Sequence, residues 1–193
     1  RSVNKFDLSK VKIERGKLLS QEELININDF KRYKLTPDGV SPRALPGMKN
    51  GLHMVESNEH NERGYRDEDP ENRVRMMQKR MKKLKSASKD LIAPKIWGKR
   101  DAEIGIIGFG STFGPIQEAI TQLEKNGIRA KYLQMRTLWP FPSKKVEEFI
   151  ATCKETFVVE NNFSGQMSLL LKSQVRMSFD ARNILNYSSQ AFR

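Results

Sequence analysis

Glu103-Ile-Gly-Ile-Ile-Gly-Phe-Gly-Ser-Thr-Phe-Gly114 is the stretch that decides the fold. Ile104, Ile106, Ile107 and Phe109 form an apolar run of strand length, which reads as a buried strand. Gly108, Gly110 and Gly114 crowd its end. Ile116, Ala119, Ile120 and Leu123 then recur at helical spacing. The same alternation continues downstream. Asn126-Gly127 stops the helix, and Ala130–Met135 is a second strand. Pro140-Phe-Pro142 breaks the chain, and Ser143 caps a helix with Val146, Phe149, Ile150 and Cys153 on one face. Residues 156–160 read as a third strand. Residues 165–177 read as a helix with Met167, Leu170 and Leu171 inside, and residues 184–187 as a last strand. Strands alternating with helices predict an α/β domain with a mostly parallel sheet.

The upstream half differs in kind. The chain has 193 residues and a formal net charge of +12. Residues 1–100 hold 24 Lys and Arg against 14 Asp and Glu, whereas residues 101–193 hold 11 against 9. Apolar residues make up 37%, low for one compact core of this length, which predicts that part of the chain is extended or interface-bound. A domain boundary is expected near residues 94–100, where Pro94 and Gly98 interrupt any helix. Val3, Phe6 and Leu8, then Val11 and Ile13, alternate weakly. Ser20-Gln-Glu-Glu23 has the residues of a capping box. Residues 31–35 could be a strand, and Thr36-Pro-Asp-Gly39 is a β-turn.

Residues 69–92 predict a long basic amphipathic helix. Asp69 suits the N-cap and Pro70 the first helical position. Val74, Met77, Met81, Leu84 and Leu91 form its apolar stripe. Lys79, Arg80, Lys82, Lys83, Lys85 and Lys89 crowd the later turns, where the helix dipole favours cations. A basic helix can meet nucleic acid or an anionic membrane, but a solvated face is the commoner reading. No aromatic residue interleaves with the cations to stack on bases.

Few motifs point to chemistry. Gly108, Gly110, Ser111, Thr112 and Gly114 lie between strand and helix, where a phosphate could sit on backbone N–H groups. The spacing is not GxGxxG and no Lys follows as in a P-loop, so a tight strand-to-helix turn outweighs dinucleotide binding. His53, Glu56, Glu59, His60, Glu62, Asp67, Glu68 and Asp69 are the one His/carboxylate cluster. Their spacing fits no zinc or calcium loop, and a polar loop feeding the helix is preferred. Cys153 is read as a structural thiol. Glu160, Asn161 and Gln166 stand at the carboxyl end of a parallel strand, where α/β sheets place ligands or partners, with a helix N-cap by Asn162 or Ser164 an equal alternative. No Ser/His/Asp order is present. One cysteine predicts a reducing, cytoplasmic setting, and no apolar run is long enough for a membrane span.

Several strings together resemble one family. They are Val11-Lys-Ile-Glu-Arg-Gly-Lys17, Phe30-Lys-Arg-Tyr-Lys34, Ser41-Pro-Arg-Ala-Leu-Pro-Gly47, Glu59-His-Asn-Glu-Arg-Gly64, Asp69-Pro-Glu-Asn-Arg73, Gly108-Phe-Gly-Ser-Thr-Phe-Gly114, Leu138-Trp-Pro-Phe-Pro142 and Val158-Val-Glu-Asn-Asn162. In that order they resemble the C-terminal part of the alpha subunit of 2-oxoacid:ferredoxin oxidoreductases, especially the 2-oxoglutarate type. The resemblance implies a transketolase C-terminal-like domain over residues 99–193. Residues 1–98 would be an irregular connector leaving a thiamine-pyrimidine domain upstream of Arg1.

The resemblance also implies an enzyme that uses thiamine diphosphate, magnesium and iron–sulfur clusters, with a beta subunit, ferredoxin and CoA as partners. It implies neither nucleic acid nor membrane. This chain itself would bind none of those cofactors and would be inactive alone, serving as scaffold and subunit interface. Arg43, Glu59 and His60 are the loop residues expected near the active-site region. The alternatives are the C-terminal domain of another thiamine enzyme, of transketolase or E1 beta type, and a basic nucleic-acid-binding module.

Overall fold

The computed structural model describes residue 5, residues 7–190 and residue 192. Val3 and Phe6 of the weak N-terminal alternation lie outside the described residues. The chain forms two compact units that divide between Ser86 and Ala87.

The first unit is mostly turns and loops. Helix α1, Gln21–Ile25, starts from the expected capping box: Ser20 accepts the Glu23 N–H, and the Glu23 carboxylate accepts the Ser20 N–H. Its Leu24 is fully buried. Residues 31–35 are not a strand. They turn back on themselves, with the Lys34 N–H donating to the Lys31 carbonyl, and they hang on Glu62. The Glu62 carbonyl takes the Tyr33 N–H at 2.8 Å, and its carboxylate takes the Leu35 N–H at 2.8 Å. The 36–39 turn forms as expected, closed by Gly39 N–H to the Thr36 carbonyl at 3.1 Å.

Helix α2, Pro70–Ala87, is shorter than the 69–92 expectation. Asp69 does cap it, its carboxylate accepting the Asn72 N–H at 2.8 Å. The end comes early because Asp90 brings an acid where the dipole disfavours one. The inward face also differs from the apolar stripe. Asn72 and Met76 are buried, while Val74 is 53% and Met81 51% exposed. A polar contact sets the rotation: Asn72 Nδ2 donates to the His60 carbonyl at 3.1 Å.

The second unit is an α/β domain on a five-stranded sheet, ordered β1-β3-β2-β4-β5. The strands are β1, Lys95–Gly98; β2, Ile104–Phe109; β3, Ala130–Met135; β4, Glu155–Glu160; and β5, Ala181–Leu185. Strands β2 to β5 are mutually parallel. β1, where Pro94 and Gly98 predict only a helix break, is an antiparallel edge strand. Trp97 Nε1 ties it to Gln134 Oε1 at 3.0 Å. β5 starts three residues before its expected place, because its ladder opposes nearly the whole of β4, from Thr156↔Ala181 to Glu160↔Leu185.

Strand alternation sorts the two faces. Ile106, Tyr132 and Val159 point to helix α3, Phe113–Lys125. Ile107, Leu133 and Val158 point to helices α4, Ser143–Ile150, and α5, Gln166–Gln174. Ser143 is the first residue of α4 rather than its cap; Pro142 holds that place without a side-chain bond. Helix α5 ends three residues before the predicted 177, where Val175 turns extended. Cys153 lies just beyond α4 with its thiol donating to the Phe149 carbonyl at 3.2 Å.

Lys131 on β3 is 2% exposed. Its ammonium donates to the Arg100 carbonyl, the Thr152 carbonyl and Thr152 Oγ1 at 3.1, 3.1 and 2.9 Å.

Candidate functional site: the carboxyl edge of the sheet

Four parallel strands end on one edge, and four loops leave it. After β2, Gly110–Thr112 make one turn of 3-10 helix before α3. Gly110 takes φ +59°, the left-handed conformation that glycine adopts without penalty. Gly108 is needed for closeness. A Cβ there would meet Ile116 Cδ1 at 2.7 Å and Thr112 Oγ1 at 2.8 Å. Thr112 donates to the Phe109 carbonyl at 2.9 Å. The glycine pattern thus serves the packing of α3 on the sheet.

The loop after β4 is organised by a buried acid. Glu160 has no exposed surface. Its carboxylate accepts the N–H of Met167 at 2.7 Å, that of Ser168 at 3.1 Å and Asn162 Nδ2 at 2.7 Å. Helix α5 is preceded by Gly165, at φ +66°, which carries no capping side chain. Glu160 takes over that role from the sheet, and Asn162 Oδ1 accepts the N–H groups of Gly165 and Gln166 at 2.8 and 3.2 Å. The negative carboxylate also suits the positive end of the helix dipole. Of the two residues expected to cap, Asn162 takes the role, together with Glu160 from β4. Asn161 points elsewhere: its Nδ2 donates to Ser111 Oγ at 3.0 Å and ties the loops after β2 and β4 together.

Sequence reasoning missed the aromatic part of this edge. Trp139 after β3, Phe163 after β4 and Tyr187 after β5 are 59%, 73% and 64% exposed. Phe163 and Tyr187 pack edge to face with centroids 5.0 Å apart. Arg136 is the only charged residue in the four loops, 110–112, 136–142, 161–165 and 186–190, of a chain that is 30% charged. Exposed aromatics with few charges mark the core of protein interfaces. The signal was in the sequence as one aromatic following each of three strand ends.

Below this edge, burial pushes the Tyr132 phenol up to about 12, against a smaller opposing pull from the Thr112 hydroxyl. Burial likewise raises the Cys153 thiol, with Lys131 pulling the other way. A protonated thiol bonded to a carbonyl is a structural group, not a nucleophile.

In the first unit, the structure joins Glu59 to α2. Arg73 Nη1 reaches its carboxylate at 2.6 Å, and Arg80 grips both oxygens. The Arg80 bond holds the Glu59 carboxyl down at about 2, opposed by burial and helped by Arg73. His60 stacks at a tilt on Tyr33, centroids 4.1 Å apart. Arg43 donates through Nη2 to the Arg15 carbonyl. No group of three His, Cys, Asp or Glu among the described residues could hold a metal. No helix there is long and apolar enough to cross a membrane.

Residues 102–191 match the pyruvate:ferredoxin oxidoreductase core domain II. Subunit alpha of 2-oxoacid:ferredoxin oxidoreductase 2 from Aeropyrum pernix is 38% identical over 179 residues, covering 91% of this chain and 27% of the relative. The 2-oxoglutarate synthase subunit KorA of Methanothermobacter marburgensis is 28% identical over 125 residues, 64% of this chain and 33% of the relative. A solved 2-oxoglutarate:ferredoxin oxidoreductase from Magnetococcus marinus, with 2-oxoglutarate, coenzyme A and succinyl-CoA bound, superposes with a TM-score of 0.75 at 34% identity, over 84% of this chain and 28% of that one. This chain spans a third or less of the length of these proteins. It is a chain related to the alpha subunits of 2-oxoacid:ferredoxin oxidoreductases, and its second unit carries their core domain II.

Proposed function

We propose that this chain is the scaffold and subunit-interface part of an alpha subunit in a thiamine-diphosphate-dependent oxidoreductase of the 2-oxoglutarate type. The reaction joins a 2-oxoacid, CoA and oxidised ferredoxin and gives acyl-CoA, carbon dioxide and reduced ferredoxin. The relative solved with 2-oxoglutarate and CoA supports the substrate assignment. Residues 99–193 act as a transketolase C-terminal-like domain, and residues 1–98 as the connector from a thiamine-pyrimidine domain.

The observation that carries the interface role is the charge-poor carboxyl edge with Trp139, Phe163 and Tyr187 exposed. The donor set does not suit an iron–sulfur cluster. Cys153 is one thiol where a cluster needs several, and no metal-ligating group is assembled among the described residues. No reaction step is therefore assigned to this chain. Arg43, Glu59 and His60 lie in loops that approach the active-site region of the assembled enzyme.

The test is co-purification with the beta subunit. Trp139→Ala with Phe163→Ala should lose the partner, and with it 2-oxoglutarate-dependent reduction of a viologen, while the circular dichroism spectrum stays unchanged. Full association of that variant would refute the interface role. Activity of the 193-residue chain alone would refute the scaffold role.

A further inference from the structure

Helix α2 leaves its apolar stripe uncovered. Asn72 and Met76 are buried, and the 36–39 turn lies on the same side, where a Cβ on Gly39 would meet the Lys79 carbonyl oxygen at 2.5 Å. By helical periodicity Val74, Met77 and Met81 stand on the far side of the helix, exposed, and half-buried Leu84 completes their row. The intervals of three, four and three residues are those of the a and d positions of a coiled coil. A stripe that narrow accommodates one further helix.

The two flanks of the stripe differ. On one, Arg73 and Arg80 are taken by Glu59 of the same unit. On the other, Arg75, Gln78, Lys82 and Lys85 form an exposed row at three- and four-residue spacing. Among the described residues no carboxylate forms an ion pair with Arg75 or Lys82. From Asn72 to Lys89 the sequence has eight Lys and Arg and no Asp or Glu. Glu71, in the first turn, is the single acid of α2.

An apolar seam with a basic border selects its partner by charge, because residues beside a and d decide which helices pair. We propose that this face of α2 docks an acidic amphipathic helix of another polypeptide. Its apolar residues would interdigitate with Val74, Met77 and Met81, and its carboxylates would face Arg75 and Lys82. A second copy of α2 fits poorly, since it would set one basic row against another. Nucleic acid would pair with the cations and leave the methionines in water. A membrane interface favours Trp, Phe and Leu, and none of these stands among the three exposed residues of the stripe.

The purified protein in its native assembly is treated with a zero-length carbodiimide, which joins only amines and carboxylates in contact. The salt is held at about 150 mM, where weak surface pairing is screened. Peptide mass spectrometry should find Lys82 joined to Asp or Glu of another polypeptide, in a segment whose apolar residues recur at three- and four-residue intervals. Arg75→Glu with Lys82→Glu should lower the amount of that polypeptide retained on gel filtration by at least about ten-fold, because like charges then oppose each other. Met81→Glu should do the same, and Lys125→Glu in the second unit should retain it in full. Circular dichroism and thermal melting confirm that each variant is folded. Lys82 joined to no other polypeptide, or to a second copy of this chain, overturns the proposal. Full retention by Met81→Glu and by the charge-reversed variant overturns it too. Flotation with phosphatidylserine and phosphatidylcholine vesicles that Met81→Glu abolishes would assign the stripe to a membrane instead. Helix α2 belongs to the first unit, so the outcome is independent of whether the carboxyl edge of the sheet docks a subunit.

Discussion

Glu160 on β4 accepts the N–H of Met167 on α5 at 2.7 Å, and the acid has no exposed surface. A helix whose own N-cap is Gly165 is thus capped from the sheet. Glu160→Ala should leave the Met167 and Ser168 N–H groups buried without acceptors, at a cost of roughly 2–4 kcal/mol. Glu160→Gln keeps one acceptor oxygen but turns a donor toward those N–H groups, so it should recover only part of the loss. Chemical denaturation of the two variants against the parent measures both.

Gly108→Ala tests the closeness of α3 to the sheet. Its Cβ would fall 2.7 Å from Ile116 Cδ1 and 2.8 Å from Thr112 Oγ1, and one of these groups must move. Overpacking of this kind typically costs about 1–3 kcal/mol. Gly114→Ala, in the same motif, meets nothing within 4 Å and should be tolerated. If the two variants melted alike, the packing explanation of the glycine pattern would fail, and a ligand-binding explanation would gain.

Helix α2 gives opposite expectations for neighbouring methionines. Met76 is 2% exposed, so Met76→Ala should cost about 2–5 kcal/mol. Met81 is 51% exposed, so Met81→Gln should change stability by about 0.5 kcal/mol or less. Equal losses at both positions would show that the helix is rotated toward its apolar stripe.

The Glu59 carboxyl is held at about 2 by Arg80 and Arg73. A lowered carboxyl pKa means that the unfolded chain takes up the proton first as acid is added. The stabilisation is therefore complete above the ordinary glutamate value of about 4.3. It fades as the pH falls from there toward 2. Glu59→Gln should flatten the stability profile in that acid window. An NMR titration of the Glu59 carboxyl carbon in the folded protein should give a midpoint well below that of an exposed glutamate.

The second unit was largely legible in the sequence because its signals are local. The Ile104–Phe109 run is apolar at strand length, and Asn126-Gly127 stops α3 where expected. β3 matched its predicted bounds, and its buried residues explain why. β1 was not legible, since the four residues Lys95–Gly98 form a strand only by pairing with β3. The rotation of α2 was hidden for the same reason. Asn72 is inside because of a carbonyl twelve residues upstream, and no periodicity reports that. At the carboxyl edge, Glu160, Asn161 and Gln166 were singled out from position alone. Which of them caps and which bridges depended on strand alternation and on Ser111, fifty residues from Asn161.

Lys131 bears on how the sheet finds its pairing. Its neighbour Tyr132 is fully buried on the opposite face, against α3. A one-residue slip of β3 would exchange the two faces. The ammonium would then sit among Ile106, Ile116 and Val159, far from the Arg100 and Thr152 oxygens that now receive it. A cation without acceptors in an apolar layer is among the costliest arrangements a fold can meet. Lys131 therefore works as an alignment key: it adds little to the correct pairing and penalises the shifted one heavily. That suits a strand bordered by a parallel neighbour on one side and an antiparallel one on the other, where the backbone ladder alone would tolerate more than one alignment.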